Sequence, residues 1–229
     1  MPQTFVRTAG AVTCALTLLA APPARADDLT VVVRLYDMAT GNAAGRVVAM
    51  RTAADAIATA GIKVKWRDCS RGGAAHPCRT VRDSGDLVVR VMPARGATAT
   101  ASPSATVRDG DGDVQLGFAP IDPSGRATVI ATIYYDVVLG VAHRTGSGAN
   151  ELLGRAIAHE IGHLLLRAPG HGHSGLMRPL WTDEELMQNR PDDWTFSEAD
   201  RRQVQAVARG SEPATTTADD AGDVDSAGR

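Results

Sequence analysis

One segment restricts the fold of this chain more than any other: residues 151–167, which contain the sequence His-Glu-Ile-Gly-His. The apolar residues that share one stripe of a helix there are Leu153, Ile157, Ile161, Leu164 and Leu165. Such a stripe packs against the rest of a protein. Histidines four residues apart lie on one face of a helix, so two imidazoles can bind one ion. The pattern predicts a packed helix with two candidate metal ligands, His159 and His163.

Glu160 lies beside this pair without being forced into the coordination sphere. Its carboxylate can take a proton from metal-bound water, because Zn²⁺ lowers the pKa of that water toward about 7. The alternative interpretation is a surface helix on which two histidines have this spacing by coincidence. The intervening glutamate, and a third histidine shortly after the helix, favour the metal site.

The segment after the helix offers a third ligand. A helix cannot continue through Pro169, and Gly170 can adopt the left-handed conformation that reverses a chain after a helix. His171 is the first imidazole beyond that turn. His173 competes with it, because residues two apart in an extended segment point the same way. Periodicity alone does not separate the two.

Residues 159–177, H-E-I-G-H-L-L-L-R-A-P-G-H-G-H-S-G-L-M, resemble the zincin metallopeptidases and, within them, the metzincins. In that family H-E-x-x-H is followed by a glycine turn, a third histidine ligand and a turn that contains methionine. The resemblance implies a zinc ion bound by His159, His163 and a later histidine. It also implies that Glu160 is the general base and that Met177 forms a hydrophobic floor under the metal.

The resemblance favours His171 as the third ligand, although one zincin subclass uses a downstream glutamate, here Glu184 or Glu185. The chain departs from the usual metzincin spacing, since Leu166 and Pro169 stand where the glycine and the third histidine are expected. It is similar in this respect to small secreted bacterial proteins with H-E-I-G-H, a late histidine and a G-[LI]-M-R segment. Many metzincins also place a tyrosine after the methionine turn, and this sequence has none there.

The wider pattern predicts an α/β (α+β) fold with a mixed twisted sheet and a small irregular C-terminal lobe, and the resemblance implies that this fold is of the zincin or metzincin kind. The segments with strand patterns are residues 29–35, 62–66, 86–92, 116–119 and 127–134. The predicted helices span about 43–60, 151–167 and 198–209, the last with a capping box from Ser197 to Asp200. Residues 94–113 are predicted to form a loop, in which the acidic run 109–113 is a polar turn rather than a calcium site.

The first 26 residues have the pattern of a secretory signal peptide, with Arg7, an apolar run and Ala24-Arg25-Ala26 before the cleavage point. This predicts a secreted or periplasmic protein cleaved after Ala26. The expected catalytic domain is 27–209, with an upper lobe of about 27–167 and a lower lobe of about 168–209. Residues 210–229 have almost no large apolar side chain and are predicted to be disordered.

Two cysteines, Cys69 and Cys78, remain once the signal segment and its Cys14 are removed. An isolated pair in an exported protein is typical of a disulfide bond. The alternative is a thiolate that caps a metal in a latent enzyme. No separate pro-segment is visible for such a thiolate, so the disulfide is preferred.

The charge pattern excludes some partners. The net charge of the chain is −2 and its basic residues never form a run, so nothing indicates binding to nucleic acid or to a membrane. We predict a monomeric zinc metalloendopeptidase that acts on a peptide or protein substrate. The substrate would lie extended along an edge strand at Leu116, Gly117 and Phe118. The alternatives are a catalytically silent zinc-binding or interaction module on the same fold, and a zinc hydrolase that does not cleave peptides.

Overall fold

The computed structural model describes residues 29–40, 42–70, 78, 85–94, 105–109, 112–122, 128–168 and 170–209. The expected signal peptide and the expected disordered tail lie outside the described residues. In chain order the elements are β1 (Leu29–Asp37), α1 (Ala43–Ala58), β2 (Ile62–Asp68), β3 (Leu87–Met92), β4 (Thr106–Asp109), β5 (Gly112–Gln115), β6 (Gly117–Phe118), β7 (Ile130–Tyr134), α2 (Tyr135–Thr145), α3 (Ala149–Leu166), β8 (Leu180–Trp181), α4 (Asp183–Gln188) and α5 (Glu198–Ala208).

The main sheet has the strand order β2-β1-β3-β7-β6. Its first four strands are parallel, and β6 pairs with β7 in the antiparallel direction. Parallel neighbours require a crossover connection, which α1 supplies between β1 and β2. A second sheet has the order β5-β4-β8. The predicted α/β fold with a mixed sheet is therefore confirmed.

Helix α3 occupies the centre of the molecule, in contact with α1, α2, α5 and β7. Its residues from Leu152 to Leu164 are all buried. A helix that is apolar on most sides is stable only when other elements surround it, and this sequence has such a composition. The fold thereby places the H-E-x-x-H segment deep in the protein. No helix among the described residues combines the length and the hydrophobicity needed to span a membrane.

Two parts of the structure differ from the sequence-based expectation. Helix α2 was not predicted, although its buried residues Val138, Val141, Ala142 and Thr145 have helical spacing; the β-branched residues that follow the preceding strand concealed it. The predicted loop 94–113 contains β4 and the first half of β5. These short strands have polar sequences, and pairing with β8 makes β4 a strand. Intrinsic strand propensity therefore could not identify it.

The C-terminal lobe is built from short capped elements. Helix α5 begins at Ser197, whose side chain accepts from Asp200 N while the Asp200 carboxylate accepts from Ser197 N, so the predicted capping box is confirmed. Helix α4 has the same device between Thr182 and Glu185. A short 3₁₀-helix, Pro191–Trp194, lies between these two helices. Residues 180–208 thus contain more regular secondary structure than the predicted irregular lobe.

Cys69 and Cys78 form a disulfide bond with a Cα–Cα distance of 5.6 Å. A chain that begins at residue 27, and so lacks Cys14, is therefore expected to show no thiol that reacts after denaturation without reductant. Replacing both cysteines with alanine should lower the free energy of unfolding by about 2–3 kcal/mol, because a small covalent ring is lost from the unfolded chain. Thiol titration and urea unfolding would measure the two effects. Two reactive thiols in freshly exported protein would contradict the first.

Candidate metal centre

Three histidines converge at the C-terminal half of α3. His159 and His163 come from successive turns of the helix, and His171 comes from the segment that follows it. Each ring has one candidate ligand nitrogen, and these three nitrogens all lie within 4.8 Å of one another. The ring centroids of His171 lie 5.3 Å from His159 and 4.9 Å from His163. Helical spacing supplies two of the three imidazoles, and a chain reversal supplies the third.

Backbone carbonyl groups orient both helical histidines. His159 Nδ1 lies 2.8 Å from Leu176 O, and His163 Nδ1 lies 3.2 Å from Ala168 O. A carbonyl oxygen only accepts, so each Nδ1 must carry the hydrogen. In the neutral imidazole the Nε2 atom then carries a lone pair. The two Nε2 atoms therefore point their lone pairs toward the same space.

The geometry of these two lone pairs fits a metal ion. The Nε2 atoms of His159 and His163 are 3.1 Å apart. Two acceptors at this distance cannot hydrogen-bond to each other, whereas a cation between them satisfies both. Nitrogens at 2.0–2.1 Å from one tetrahedral zinc ion lie about 3.3 Å apart. Three imidazoles with outer-shell hydrogen bonds are a donor set that zinc accepts.

Burial keeps the two helical imidazoles in the state that binds metal. It lowers the pKa of His163 to about 4 and the pKa of His159 well below its usual value. The nearby imidazoles act in the same direction. Because a metal binds neutral histidine, both side chains are prepared for coordination at neutral pH.

Glu160 is fully buried beside this cluster. Its Oε1 atom accepts a hydrogen bond of 2.9 Å from the backbone N–H of Ala105. Its Oε2 atom is buried and meets no hydrogen-bond donor among the described residues. Burial raises the pKa of this carboxyl group to about 8, and the Ala105 N–H opposes the rise. A buried carboxylate with one unused oxygen can accept and return a proton.

Met177 packs against the helix turn that carries the ligands. A β-carbon at Gly162 would collide with Met177 Sδ, so only glycine leaves room for this methionine. Met177 is completely buried, and its carbonyl oxygen accepts from Gly172 N at 2.9 Å. That hydrogen bond ties the methionine turn to the residue after His171. Met177 therefore packs next to the histidine helix, and its role as a floor under a metal ion stays a prediction.

The other candidate ligands lie outside the cluster. The side chain of His173 is exposed. Glu184 accepts a hydrogen bond from Gln188, and Glu185 caps α4. The chain reversal also differs from the expectation, because Arg167, with φ of 52°, has the left-handed conformation and Gly170 does not. The helix ends at Leu166, two residues before Ala168, whose own helical geometry a following proline disfavours.

The segment predicted to bind the substrate includes strand β6 and lies next to Ala105. Strand β6 lies at the edge of the main sheet, and Leu116 just before it is completely buried. Leu116 N donates to Ala105 O at 2.8 Å. A β-carbon on Gly117 would come within 2.6 Å of Thr132 O and 3.3 Å of Glu160 Cγ, so this glycine brings the strand close to Glu160. Phe118 continues the pairing with β7.

Three residues that contact the site were absent from the sequence-based set. Leu176 O accepts from His159, and the Trp181 indole N–H is also directed at this oxygen, at 3.4 Å. The Trp181 ring meets the His159 ring edge-on at 5.5 Å. Ala105 contacts Glu160 through its backbone alone. A backbone contact leaves no trace in residue type, so no sequence signal could have identified Leu176 or Ala105.

The comparisons with known proteins identify no family for the chain. No protein-family model matches it, and no curated protein matches it either. Among solved structures it is similar to an archaemetzincin from Methanopyrus kandleri, with 13% identity, a TM-score of 0.45 and coverage of 81% of this chain and 98% of the other. It is also similar to a zinc-dependent peptidase from Methanocorpusculum labreanum, with 15% identity, a TM-score of 0.42 and coverage of 76% and 99%.

Proposed function

We propose that this protein is an exported zinc metalloendopeptidase in which His159, His163 and His171 bind the metal and Glu160 is the general base. One observation carries the proposal. The lone pairs of two buried imidazoles meet 3.1 Å apart beside a buried carboxylate that has an unused oxygen. A structural helix would not gain stability from this arrangement, because buried polar atoms without partners cost free energy. The H-E-x-x-H spacing on a helix supports peptide hydrolysis as the reaction.

A zinc ion at this site would supply a Lewis acid and lower the pKa of a bound water toward about 7. Glu160 Oε2, which has no hydrogen-bond partner among the described residues, would accept a proton from the attacking water. The same oxygen then delivers that proton to the leaving amine. Leu176 O and Ala168 O keep the two helical imidazoles in one tautomer throughout. The surrounding burial excludes bulk water from Glu160.

A specific observation favours a second candidate, a zinc-binding module without activity. The Ala105 N–H already occupies one oxygen of Glu160, and both helical ligands are fully buried. A module of this kind would bind zinc with the same three histidines but hydrolyse nothing. Digestion of a peptide library by the zinc-loaded mature protein, with a chelator control, separates the two candidates.

Metal removal provides the first test of the proposal. Chelation should abolish hydrolysis of the library, and added zinc should restore it. Zinc should also raise the free energy of unfolding, by about 4 kcal/mol at a free concentration 1,000 times Kd, because it binds only the folded state. Thermal unfolding with and without zinc would measure this stabilisation. A protein with the same melting temperature in both conditions would contradict the metal site.

A further inference from the structure

Strand β4 lies between two other strands rather than at an edge. On one side it pairs with β5 in the antiparallel direction, and on the other it pairs with β8 in the parallel direction, through Thr106 with Leu180 and Val107 with Trp181. Strand β8 closely follows the methionine turn, and Trp181 touches the ring of His159. Residues 105–109, which we call the strap, therefore lie beside the β8 segment that contacts the histidine cluster.

The first residue of the strap lies against the proposed general base. Ala105 N donates to Glu160 Oε1, and Ala105 O accepts from Leu116 N just before β6. Both backbone polar groups of Ala105 are thus engaged within the site. Ala105 and Val107 are completely buried, whereas the side chain of Arg108 is 65% exposed. The strap presents small or apolar side chains inward and a charged one outward.

The strap also forms backbone hydrogen bonds with the segments to which an extended peptide would bind. Peptides that bind by strand addition require unpaired backbone groups on a neighbouring strand. Here the segment before β6 and strand β8 both have the strap as their neighbour. Glu160, His159 and His163 have no exposed surface beneath it. Three surface clefts of about 350, 430 and 310 Å³ are lined by other residues.

We propose that the strap is an internal, strand-like inhibitor that occupies the peptide groove of this chain and must move before an extended substrate can bind. This inference rests on the proposed function. The proposed inhibition is a non-covalent contact between two parts of the same chain. The structure described here corresponds to the closed, latent state. Weakening the strap should make the groove easier to enter, and tethering it to β8 should close the groove.

The test uses binding of a short peptide hydroxamate to the zinc-loaded full chain, together with peptide hydrolysis. Val107→Ser removes the buried apolar side chain of the strap and should lower the Kd for the peptide hydroxamate by about tenfold or more. Arg108→Ser changes the neighbouring exposed side chain and is the matched control, with little effect expected. Acetohydroxamate is too small to need the length of the groove, so its Kd should change much less than that of the peptide hydroxamate in every variant.

A lock variant tests the opposite direction. Thr106→Cys with Leu180→Cys places thiols on paired residues of β4 and β8, close enough for a disulfide across the strands. The disulfide would hold the strap against β8. The oxidised double-cysteine variant should therefore bind the peptide hydroxamate at least about tenfold more weakly than its reduced form. Wild-type protein treated with the same reductant controls for the native disulfide. If Val107→Ser does not fold, the binding results for the double-cysteine variant alone test the proposal.

The outcomes separate this inference from the proposed function. Tighter peptide binding by Val107→Ser and weaker binding by the lock support the strap, whether or not any variant cleaves peptides. Absence of cleavage in every variant, with these binding changes present, would refute the peptidase and leave the strap in place. Unchanged peptide affinity in both variants would overturn the strap, even in a protein that proves to be an active peptidase.

Discussion

Replacing Glu160 with glutamine is expected to lower the rate of peptide hydrolysis by about 10²- to 10⁴-fold while zinc stays bound. Glutamine has nearly the same shape, and its amide oxygen can still accept from Ala105 N. The three histidines are untouched, so metal affinity should remain close to that of the wild type. Only the oxygen that accepts the proton is lost. Both kcat and kcat/KM should fall together, because proton transfer occurs in the transition state.

The experiment compares Glu160→Gln with Glu184→Gln, which changes an exposed carboxylate on α4. Zinc content by atomic emission and hydrolysis of a peptide library would be measured on the same preparations. Glu184→Gln should match the wild type in both. Near-normal turnover by fully zinc-loaded Glu160→Gln would show that another group, or none, acts as the base.

Replacing His171 with alanine is expected to weaken zinc binding by more than about 100-fold, since the loss of outer-shell partners alone costs 10–100-fold. His171 is one of the three imidazoles in the cluster, whereas His173 is exposed and lies outside it. His173→Ala is therefore the matched control and should bind zinc normally. Competition with a chromophoric chelator would give both affinities. Loss of tight zinc in His173→Ala alone would show that the third ligand had been assigned wrongly.

Parts of this site could be predicted because they depend on helical geometry. Imidazoles four residues apart on a helix must lie on one face, whatever surrounds them. The apolar character of residues 152–164 likewise required that the helix be buried. His159, Glu160 and His163 followed from these two local facts. The capping box at Ser197 is local for the same reason.

The choice of third ligand could not be made from periodicity, because it depends on where the chain goes after the helix. In the structure Arg167 ends α3 in the left-handed conformation, and the next residues bring His171 back toward the helix. The Met177 carbonyl ties the neighbouring Gly172 to the methionine turn. Contacts between separate segments of the chain therefore select His171 over His173.

The covering of the site depends most strongly on tertiary structure. Local composition made residues 94–113 resemble a loop, since small and polar residues dominate there. Pairing with the neighbouring β5 and with the distant β8 turns part of this segment into β4, and tertiary contacts bring Ala105 to Glu160. Sequence alone determined which side chains could bind a metal and move a proton, because helix spacing is a local property. Only the folded chain decided which histidine joins the cluster and which segment contacts Glu160, because those contacts join distant segments through backbone groups common to every residue type.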